Sequence, residues 1–394
     1  MDYIYLQPKY FTDFRCVGGE CVNSCCDGWR VDWAKDEYEH LRSASMPEEL
    51  KSKVDSDFLL KDDKYYYIKM CSDGRCPFHN RETDLCDIQK TIGAEYFGVT
   101  CDIYPRMYYR RDNMILRSCT PSCPAVLSML MNDKDAGKLE KTLARNYKSI
   151  NPYAVYMDSE SEVANSRYLK FKLNIIEFYN DLFGRIDKIE NAVTLGALAA
   201  KKISDLAVAE KENQIPVILK DLIKQFDNPA TIRSVDQINV NYMIKFVITN
   251  NMAVKYFNAY PEVIKEISSL HDGTKLILEN YLEGKEKFEN IFENRPFVLK
   301  NIISNLFIDL FCKNLFTKGT FFDFYSYFTA CSAVVAVLAY SVGYCSDDIE
   351  NRFIHVCSLL FREILHNTEV FDSVITDMNN KGLSSPAHLA LIIK

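Results

Sequence analysis

Cysteine is the residue type in this chain with the greatest chemical potential, and it is crowded at one end. Ten of the fourteen cysteines fall within the first 123 residues, and two of them, Cys25 and Cys26, are adjacent. The ten are Cys16, Cys21, Cys25, Cys26, Cys71, Cys76, Cys86, Cys101, Cys119 and Cys123. Such crowding predicts that sulfur chemistry, either disulfide bonds or metal–thiolate bonds, organises the leading segment.

The start of the chain favours metal binding over disulfide bonds. Residues 1–10 have neither a basic n-region nor an apolar h-region, so we expect no secretory signal and a cytoplasmic location. Cytosolic thiols are kept reduced, and clustered cysteines there are more often metal ligands than disulfides. A disulfide between the neighbours Cys25 and Cys26 would also be strained. The simpler alternative is that the thiols pack as small hydrophobic side chains.

The cysteine spacing favours an iron–sulfur cluster over zinc. Zinc ribbons usually pair cysteines that are separated by two residues, and the chain has no such pair. Four residues separate Cys16 from Cys21, three separate Cys21 from Cys25, and four separate Cys71 from Cys76. Loops of this length suit a [4Fe–4S] cluster bound by thiolates. Zinc is the second choice.

Length and composition predict a folded protein of two or three units. The chain has 394 residues, of which 48% are hydrophobic and 26% are charged, as in globular proteins. The net charge of −7 argues against nucleic acid as a ligand, because phosphate binding needs a basic face. A local basic group, Arg106, Arg110, Arg111 and Arg117, could bind a carboxylate or phosphate, although a solvated edge is its more usual role.

The elements that must position the cysteines are short and irregular. We expect residues 1–130 to form a cysteine-rich metal-binding domain with short strands, for example at residues 65–68 and 114–116. Short helices are predicted around residues 34–42 and 85–97, among turn-forming Gly, Asp and Asn. The fold class is therefore mainly α, with an irregular N-terminal domain followed by an all-α C-terminal domain.

The rest of the chain is predicted to be a linker at residues 131–165 and an all-helical domain at residues 166–394. Apolar residues recur there at helical spacing over 169–183, 193–209, 217–226, 240–257, 263–279, 297–316, 321–342 and 349–367. Residues 324–344 carry no charge and are long enough to cross a bilayer. Because Lys and Arg show no asymmetry between its two flanks, we predict a buried core helix rather than a membrane span, and no membrane partner.

The N-terminal motifs resemble the opening of the flagellin lysine-N-methylases, the FliB-like proteins. The resemblance covers residues 8–130 and is carried by residues 10–16, 19–29, 74–78, 85–90, 93, 100–106 and 122–124. These proteins are part of a wider group with a YkgJ-type CxxCxxCC cysteine cluster that chelates zinc or iron. Beyond residue 130 the similarity lies only in length, helicity and aromatic content.

The resemblance implies a ligand set and a few further site residues. Its metal-binding cysteines are Cys16, Cys21, Cys25, Cys26, Cys76, Cys86, Cys101 and Cys123, whereas Cys71 and Cys119 are extra to the pattern. Gln89, Tyr104 and Arg106 lie in the same motifs and are expected to contact the cofactor, although each could equally serve in packing. Trp29 is expected to pack, and no catalytic residue is predicted.

The activity that the resemblance implies is methyl transfer from S-adenosylmethionine to lysine side chains of flagellin, in bacteria. The glycine-rich turn and alternating strands of ordinary methyltransferases are not evident in the sequence. We therefore expect the cofactor to lie between the cysteine-rich domain and the helical domain. The alternative is a protein-binding module without catalysis, in which the metal only staples the N-terminal domain.

Overall fold

Helices dominate the structure, as the sequence predicts. The computed structural model describes residues 3–29, 31–144, 155–157, 166–257, 260–367 and 369–394. It is 62% helical with few, short strands, so the chain is mainly α.

Eight strands form two sheets in the described residues. They are β1 (Tyr3–Pro8), β2 (Asp32–Ala34), β3 (Phe58–Leu60), β4 (Tyr65–Ile68), β5 (Arg106–Arg111), β6 (Met114–Cys119), β7 (Leu139–Ala144) and β8 (Val155–Met157). The larger sheet has the order β7-β1-β6-β5-β8, and the smaller has the order β2-β4-β3. The predicted strands at residues 65–68 and 114–116 are β4 and the first half of β6.

The predicted linker supplies two strands to the larger sheet. Strand β7 pairs antiparallel with β1, and β8 pairs parallel with β5. Both are edge strands, which face solvent on one side and tolerate polar composition, so residues 131–165 read as a linker in the sequence. Residues 145–154 and 158–165 of that stretch lie outside the described residues.

Five short helices connect the cysteine motifs. They are α1 (Lys35–Ser43), α2 (Glu48–Asp57), α3 (Asp87–Ile92), α4 (Val99–Ile103) and α5 (Pro124–Asn132). The helix predicted around residues 85–97 is shorter than expected, because Gly93 takes a φ of 106° and ends α3. Together with the smaller sheet, α1, α2 and α3 enclose a small core around Trp33, Leu41 and Phe78.

Twelve further helices lie in the described part of residues 166–394. They are α6 (Lys172–Arg185), α7 (Ile189–Val208), α8 (Ile215–Phe226), α9 (Pro229–Asp236), α10 (Tyr242–Asn250), α11 (Pro261–Ser268), α12 (Leu278–Ile291), α13 (Val298–Cys312), α14 (Phe321–Cys345), α15 (Ile349–His366), α16 (Val370–Asn380) and α17 (Pro386–Ile393). A π-helical turn, Asn251–Tyr256, extends α10.

One predicted helix, at residues 263–279, is wrong. Helix α11 ends at Ser268, and a turn with Gly273 at a φ of 93° leads into α12. The sequence analysis did not predict α12, whose many charged residues obscure its periodicity. It also missed α9, α16 and α17, which are short.

Helix α14 forms the centre of the main core. It is the one helix of the described residues that is long and apolar enough to cross a membrane, and 89% of its most apolar window is buried. Its neighbours α12, α7 and α15 surround it. The prediction of a buried core helix is therefore confirmed. The same core continues into the larger sheet through Leu6, Tyr109 and Leu116.

Candidate active site

A guanidinium group from the helical region holds the loop that carries the adjacent cysteines. Arg362, near the end of α15, donates hydrogen bonds to the carbonyl oxygens of Ser24 at 2.9 Å, Asn23 at 3.0 Å and Asp27 at 3.1 Å. Arg362 is only 9% exposed, so these charge-assisted bonds lie away from bulk water. The loop therefore docks on α15 through its backbone.

Two side-chain contacts strengthen this docking. Asn23 Nδ2 donates to the carbonyl oxygen of His355 at 2.8 Å and to Ser358 Oγ. Tyr10, which follows β1, donates its hydroxyl to Asn305 Oδ1 at 2.6 Å on helix α13. The cysteine motifs and the helical region thus share a polar interface as well as an apolar core.

The cysteines of this region are not paired in the described structure. All ten in residues 16–123 are outside any disulfide bond. Cys76, Cys119 and Cys123 are buried, whereas Cys25 and Cys101 are exposed.

Five of the predicted ligands form one neighbourhood around the adjacent pair. The Cys76 amide donates to the Cys26 carbonyl oxygen at 2.8 Å, which brings those two segments together. Burial is the main reason why the pKa of Cys101 is raised. Charge on Cys86, Cys76 or Cys25 adds to the rise, because it opposes ionisation of Cys101. Among the other ligand candidates, Cys21 and Cys123 interact electrostatically with Cys25, and Cys16 interacts with Cys21.

The two adjacent thiols differ in acidity. The Cys26 thiol hydrogen-bonds to Cys25 and lowers the pKa of Cys25, and the Arg362 charge acts in the same direction. The pKa of Cys26 is raised in return. Cys25 is therefore the more acidic thiol of the pair, and thiolates are the form that binds metal.

The donor set fits a metal in kind but not in arrangement. Reduced thiols from several segments are the right chemistry for an iron–sulfur cluster. However, across the described ranges no group of three or more His, Cys, Asp or Glu side chains is arranged so that it could hold a metal ion. No step of the chemistry below is derived from a metal.

Three rings meet beside Cys25 and form an aromatic corner, defined here as Trp29, Tyr104 and His366. The ring centroid of Trp29 lies 4.9 Å from that of Tyr104 and 4.5 Å from that of His366, both in edge-to-face geometry. Trp29 Nε1 donates to the Cys25 carbonyl oxygen at 2.6 Å. Trp29 and Tyr104 come from the cysteine motifs, and His366 ends α15, so the corner spans both regions.

The aromatic corner meets solvent where the cysteine motifs adjoin the helical region, and this junction is called the cleft below. His366, Cys25 and Cys101 are all exposed to solvent. Partial desolvation by the surrounding protein, together with the charges of Lys313 and Arg362, lowers the pKa of His366 to about 3. Because it joins residues of both regions, this junction is the candidate active site.

Polar groups continue inward from this cleft. The Tyr104 hydroxyl hydrogen-bonds with Ser122 Oγ at 3.1 Å, and Ser122 Oγ lies 3.3 Å from His366 Nε2. Deeper still, Ser118 donates to Asp309 Oδ1 at 2.9 Å on α13, where the carboxyl group is fully buried. Burial raises the pKa of Asp309 and lowers that of the nearby Lys313.

The structure separates the three predicted cofactor contacts. Tyr104 lies in the aromatic corner. Arg106 lies on β5 with its guanidinium 5.0 Å from the ring of Phe14, and Gln89 is exposed on α3. These positions bring only Tyr104 to the cleft.

Sequence reasoning missed several residues of this site. Arg362 and His366 lie about 340 positions from the loop they meet, and nothing in the sequence marks them. Asp309 did carry a signal, because it is the only charged residue between Lys300 and Lys313 in an apolar helix. Ser122 lies inside a motif but was read only as the neighbour of Cys123.

A known protein family matches the chain in its helical region. A family model described as the FliB lysine N-methylase C-terminal domain matches residues 185–392, whereas the resemblance noted in the sequence rests on residues 8–130. The lysine-N-methylases of Salmonella choleraesuis (strain SC-B67) and Salmonella typhimurium (strain LT2) are each 28% identical over 220 residues, which is 55% of this chain and 53% of theirs.

A third relative is shorter. The flagellar biosynthetic protein FliU of Salmonella muenchen is 32% identical over 145 residues, which is 36% of this chain and 85% of that protein. The chain spans about half the length of the two lysine-N-methylases that it matches. No solved structure matches it. On the family match, which covers more than half of its residues, the chain belongs to the FliB lysine N-methylase family.

Proposed function

We propose that this protein transfers a methyl group from S-adenosylmethionine to lysine side chains, with flagellin as the substrate, in the bacterial cytoplasm. Family membership and the printed names of the relatives support lysine N-methylation. The name of the third relative, a flagellar biosynthetic protein, supports a flagellar substrate.

The observation that carries the proposal is the aromatic corner in the cleft. Both reactants are cations, a lysine ammonium and a sulfonium, and ring faces attract cations at such short range. The ring of Trp29 lies within 5 Å of the rings of Tyr104 and His366 at the junction of the two regions. The proposed cofactor contact is Tyr104, whereas Arg106 and Gln89 remain predictions.

The reaction needs a neutral amine. Free lysine has a pKa near 10.4, so at neutral pH it holds its lone pair in an N–H bond. After the proton leaves, the nitrogen lone pair forms a bond to the methyl carbon while the carbon–sulfur bond breaks. The products are a methylated ammonium and a neutral thioether, so charge balances. The protein must therefore remove one proton and align the two reactants.

We also propose that the cysteines bind a [4Fe–4S] cluster, with zinc as the second choice. The proposal is supported by the thiols of Cys25, Cys26, Cys76, Cys86 and Cys101, which are outside any disulfide bond and influence one another's pKa. Cys21 and Cys123 interact with Cys25, and Cys16 interacts with Cys21, which gives the rest of the proposed set. Bound metal would tie these separate segments together at the cleft.

Product mass tests the methylation proposal. The full chain, purified without oxygen, is incubated with S-adenosylmethionine and flagellin, and each methyl group adds about 14 Da to the product. We expect Trp29→Ala to lower kcat/KM at least tenfold, because the corner loses its central ring. Tyr65→Ala, which removes an exposed ring far from the cleft, is the matched control. Unmodified flagellin with metal-loaded protein would favour the non-catalytic binding module.

Colour and metal content test the cluster separately. Protein purified under anaerobic conditions should be brown and contain iron and sulfide. Colourless protein that contains zinc would show that zinc, the second choice, occupies the site. Protein without either metal would refute the metal proposal.

A further inference from the structure

A line of hydroxyl groups runs from the cleft into the protein interior. His366 Nε2 lies 3.3 Å from Ser122 Oγ, and Ser122 Oγ lies 3.2 Å from Thr120 Oγ1. Ser122 is fully buried and Thr120 is 4% exposed, so bulk water does not take the place of these hydroxyls. Each hydroxyl can both accept and donate a proton.

The inner end of this line is a carboxyl group. The Thr120 side chain interacts with Asp309, and Ser118 donates to Asp309 Oδ1. The other oxygen, Oδ2, has no hydrogen-bond partner among the described residues, although Asp309 is fully buried. A buried carboxyl oxygen without a partner is destabilising unless it has a use, such as receiving a proton.

We propose that His366 is the proton acceptor for the substrate lysine ammonium and that Ser122, Thr120 and Asp309 form the path along which the proton leaves the cleft. This inference rests on the proposed function. With Nε2 facing Ser122, Nδ1 is the ring nitrogen that accepts a proton from the cleft. The ammonium N–H bond breaks and an Nδ1–H bond forms, while the Nε2 proton passes through the hydroxyls to Asp309.

The charges around the two ends suit this direction of transfer. Lys313 from α13 and Arg362 from α15 face His366, and the hydroxyl of Tyr104 lies on the other side of Ser122. Burial and the two cations disfavour a doubly protonated imidazole, so His366 takes a proton on Nδ1 only as its Nε2 proton passes to Ser122. Lys313, Tyr10 and Cys119 lie around Asp309, where burial raises the pKa of the carboxyl group, so an ionised Asp309 holds the arriving proton more strongly than an exposed carboxylate would.

The pH dependence of methylation by the full chain tests the inference. His366→Gln should lower kcat/KM about 100-fold at pH 7.5, the usual effect of losing a general base. The residual activity should rise about tenfold per pH unit toward the lysine pKa, because only pre-ionised amine reacts. The kcat/KM of the wild type should change little over the same pH range. His40→Gln, at an exposed position on α1, is the control.

Asp309→Asn separates the path from the acceptor, because it keeps the shape of the side chain but cannot take up the proton. We expect about a tenfold loss of kcat/KM with unchanged circular dichroism, and Ser122→Ala should act similarly. If the His366→Gln variant has a low kcat/KM but the same pH dependence as the wild type, the role of His366 is structural and the inference is overturned. Full activity of the Asp309→Asn variant would show that the proton does not leave the cleft through Asp309. An inactive wild type would instead refute the proposed function.

Discussion

At the scale of single residues, Arg362 connects the two chemical parts of the molecule. It donates to three carbonyl oxygens of the cysteine loop and also lowers the pKa of Cys25. The same side chain therefore fixes the position of the loop and favours the thiolate. Its loss should affect both properties, which can be measured independently.

We predict that Arg362→Gln destabilises the protein and makes Cys25 less acidic. Hydrogen bonds to a buried charged group contribute about 1.5–3 kcal/mol each, so a loss of about 3 kcal/mol in unfolding free energy is expected. Peptide-resolved alkylation across a pH series should show that Cys25 reacts at higher pH than in the wild type. Arg185→Gln, which breaks exposed ion pairs with Asp181 and Asp227, is the control.

An unchanged alkylation profile in Arg362→Gln would show that the charge does not act on Cys25. An unfolding free energy equal to that of the control would show that the loop does not depend on the three hydrogen bonds.

The site residues differ in how far the sequence could predict them. The cysteines and Tyr104 lie in compact motifs, so their types and spacing predicted a common site. Arg362 and His366 belong to an amphipathic helix in which a polar residue is unremarkable. Only the packing of α15 against the loop gives them a role. Asp309 is an intermediate case. A single acidic residue in an apolar helix can be recognised in the sequence, but its hydrogen-bond partners cannot.

At the scale of elements, helices α12 and α14 meet through two glycines. A Cβ atom on Gly284 would overlap the carbonyl oxygen of Tyr340, and a Cβ atom on Gly343 would overlap the carbonyl oxygen of Gly284. The backbones therefore approach more closely than any other residue would allow. This contact fixes α12 against the core helix.

We predict that Gly284→Ala and Gly343→Ala each lower the unfolding free energy by about 2–3 kcal/mol, because the helices must move apart. Gly184→Ala on α6 is the control, since no atom lies within 4 Å of its added Cβ. That substitution should be neutral or stabilise by up to about 1 kcal/mol, because alanine favours the helix. Urea unfolding followed by circular dichroism measures all three. Equal stability of the three variants would contradict the close contact.

Helix prediction was most accurate where apolar periodicity was strong. Helix α14 was predicted at nearly its full length, because it has no charged residue after Asp323. Periodicity could not separate α11 from α12, since the break depends on a turn at Gly273 with positive φ. It could not find α12 either, because the helix buries only Tyr281, Gly284 and Phe288 of its fourteen residues.

At the scale of the whole molecule, the predicted division into domains is blurred by a shared core. Side chains of β1, β6 and α5 pack in the same apolar cluster as the helices of residues 166–394. The sheet itself joins β1 to strands more than 100 residues away. Sequence patterns report local periodicity, and they do not show which distant strand completes a sheet. The domain boundaries thus stay a prediction.

The two tryptophans of the chain lie in different surroundings and can report on them separately. Trp33 is buried in the small core of residues 31–88. Trp29 packs on His366 of α15 and so reports the attachment of the cysteine loop to the helical region. With Trp33→Phe and Trp29→Phe, each variant retains one fluorophore.

We predict that Trp29 fluorescence in Trp33→Phe follows the helical circular dichroism signal during urea unfolding, with one midpoint. The loop is held by α15, so it should lose its contacts only when that helix unfolds. Trp33 fluorescence in Trp29→Phe should change at lower urea, because a core of eleven buried residues is small and has little apolar area to lose. If Trp29 fluorescence changed well before the helical signal, the loop would be attached to the helical region too weakly to form one active site with it.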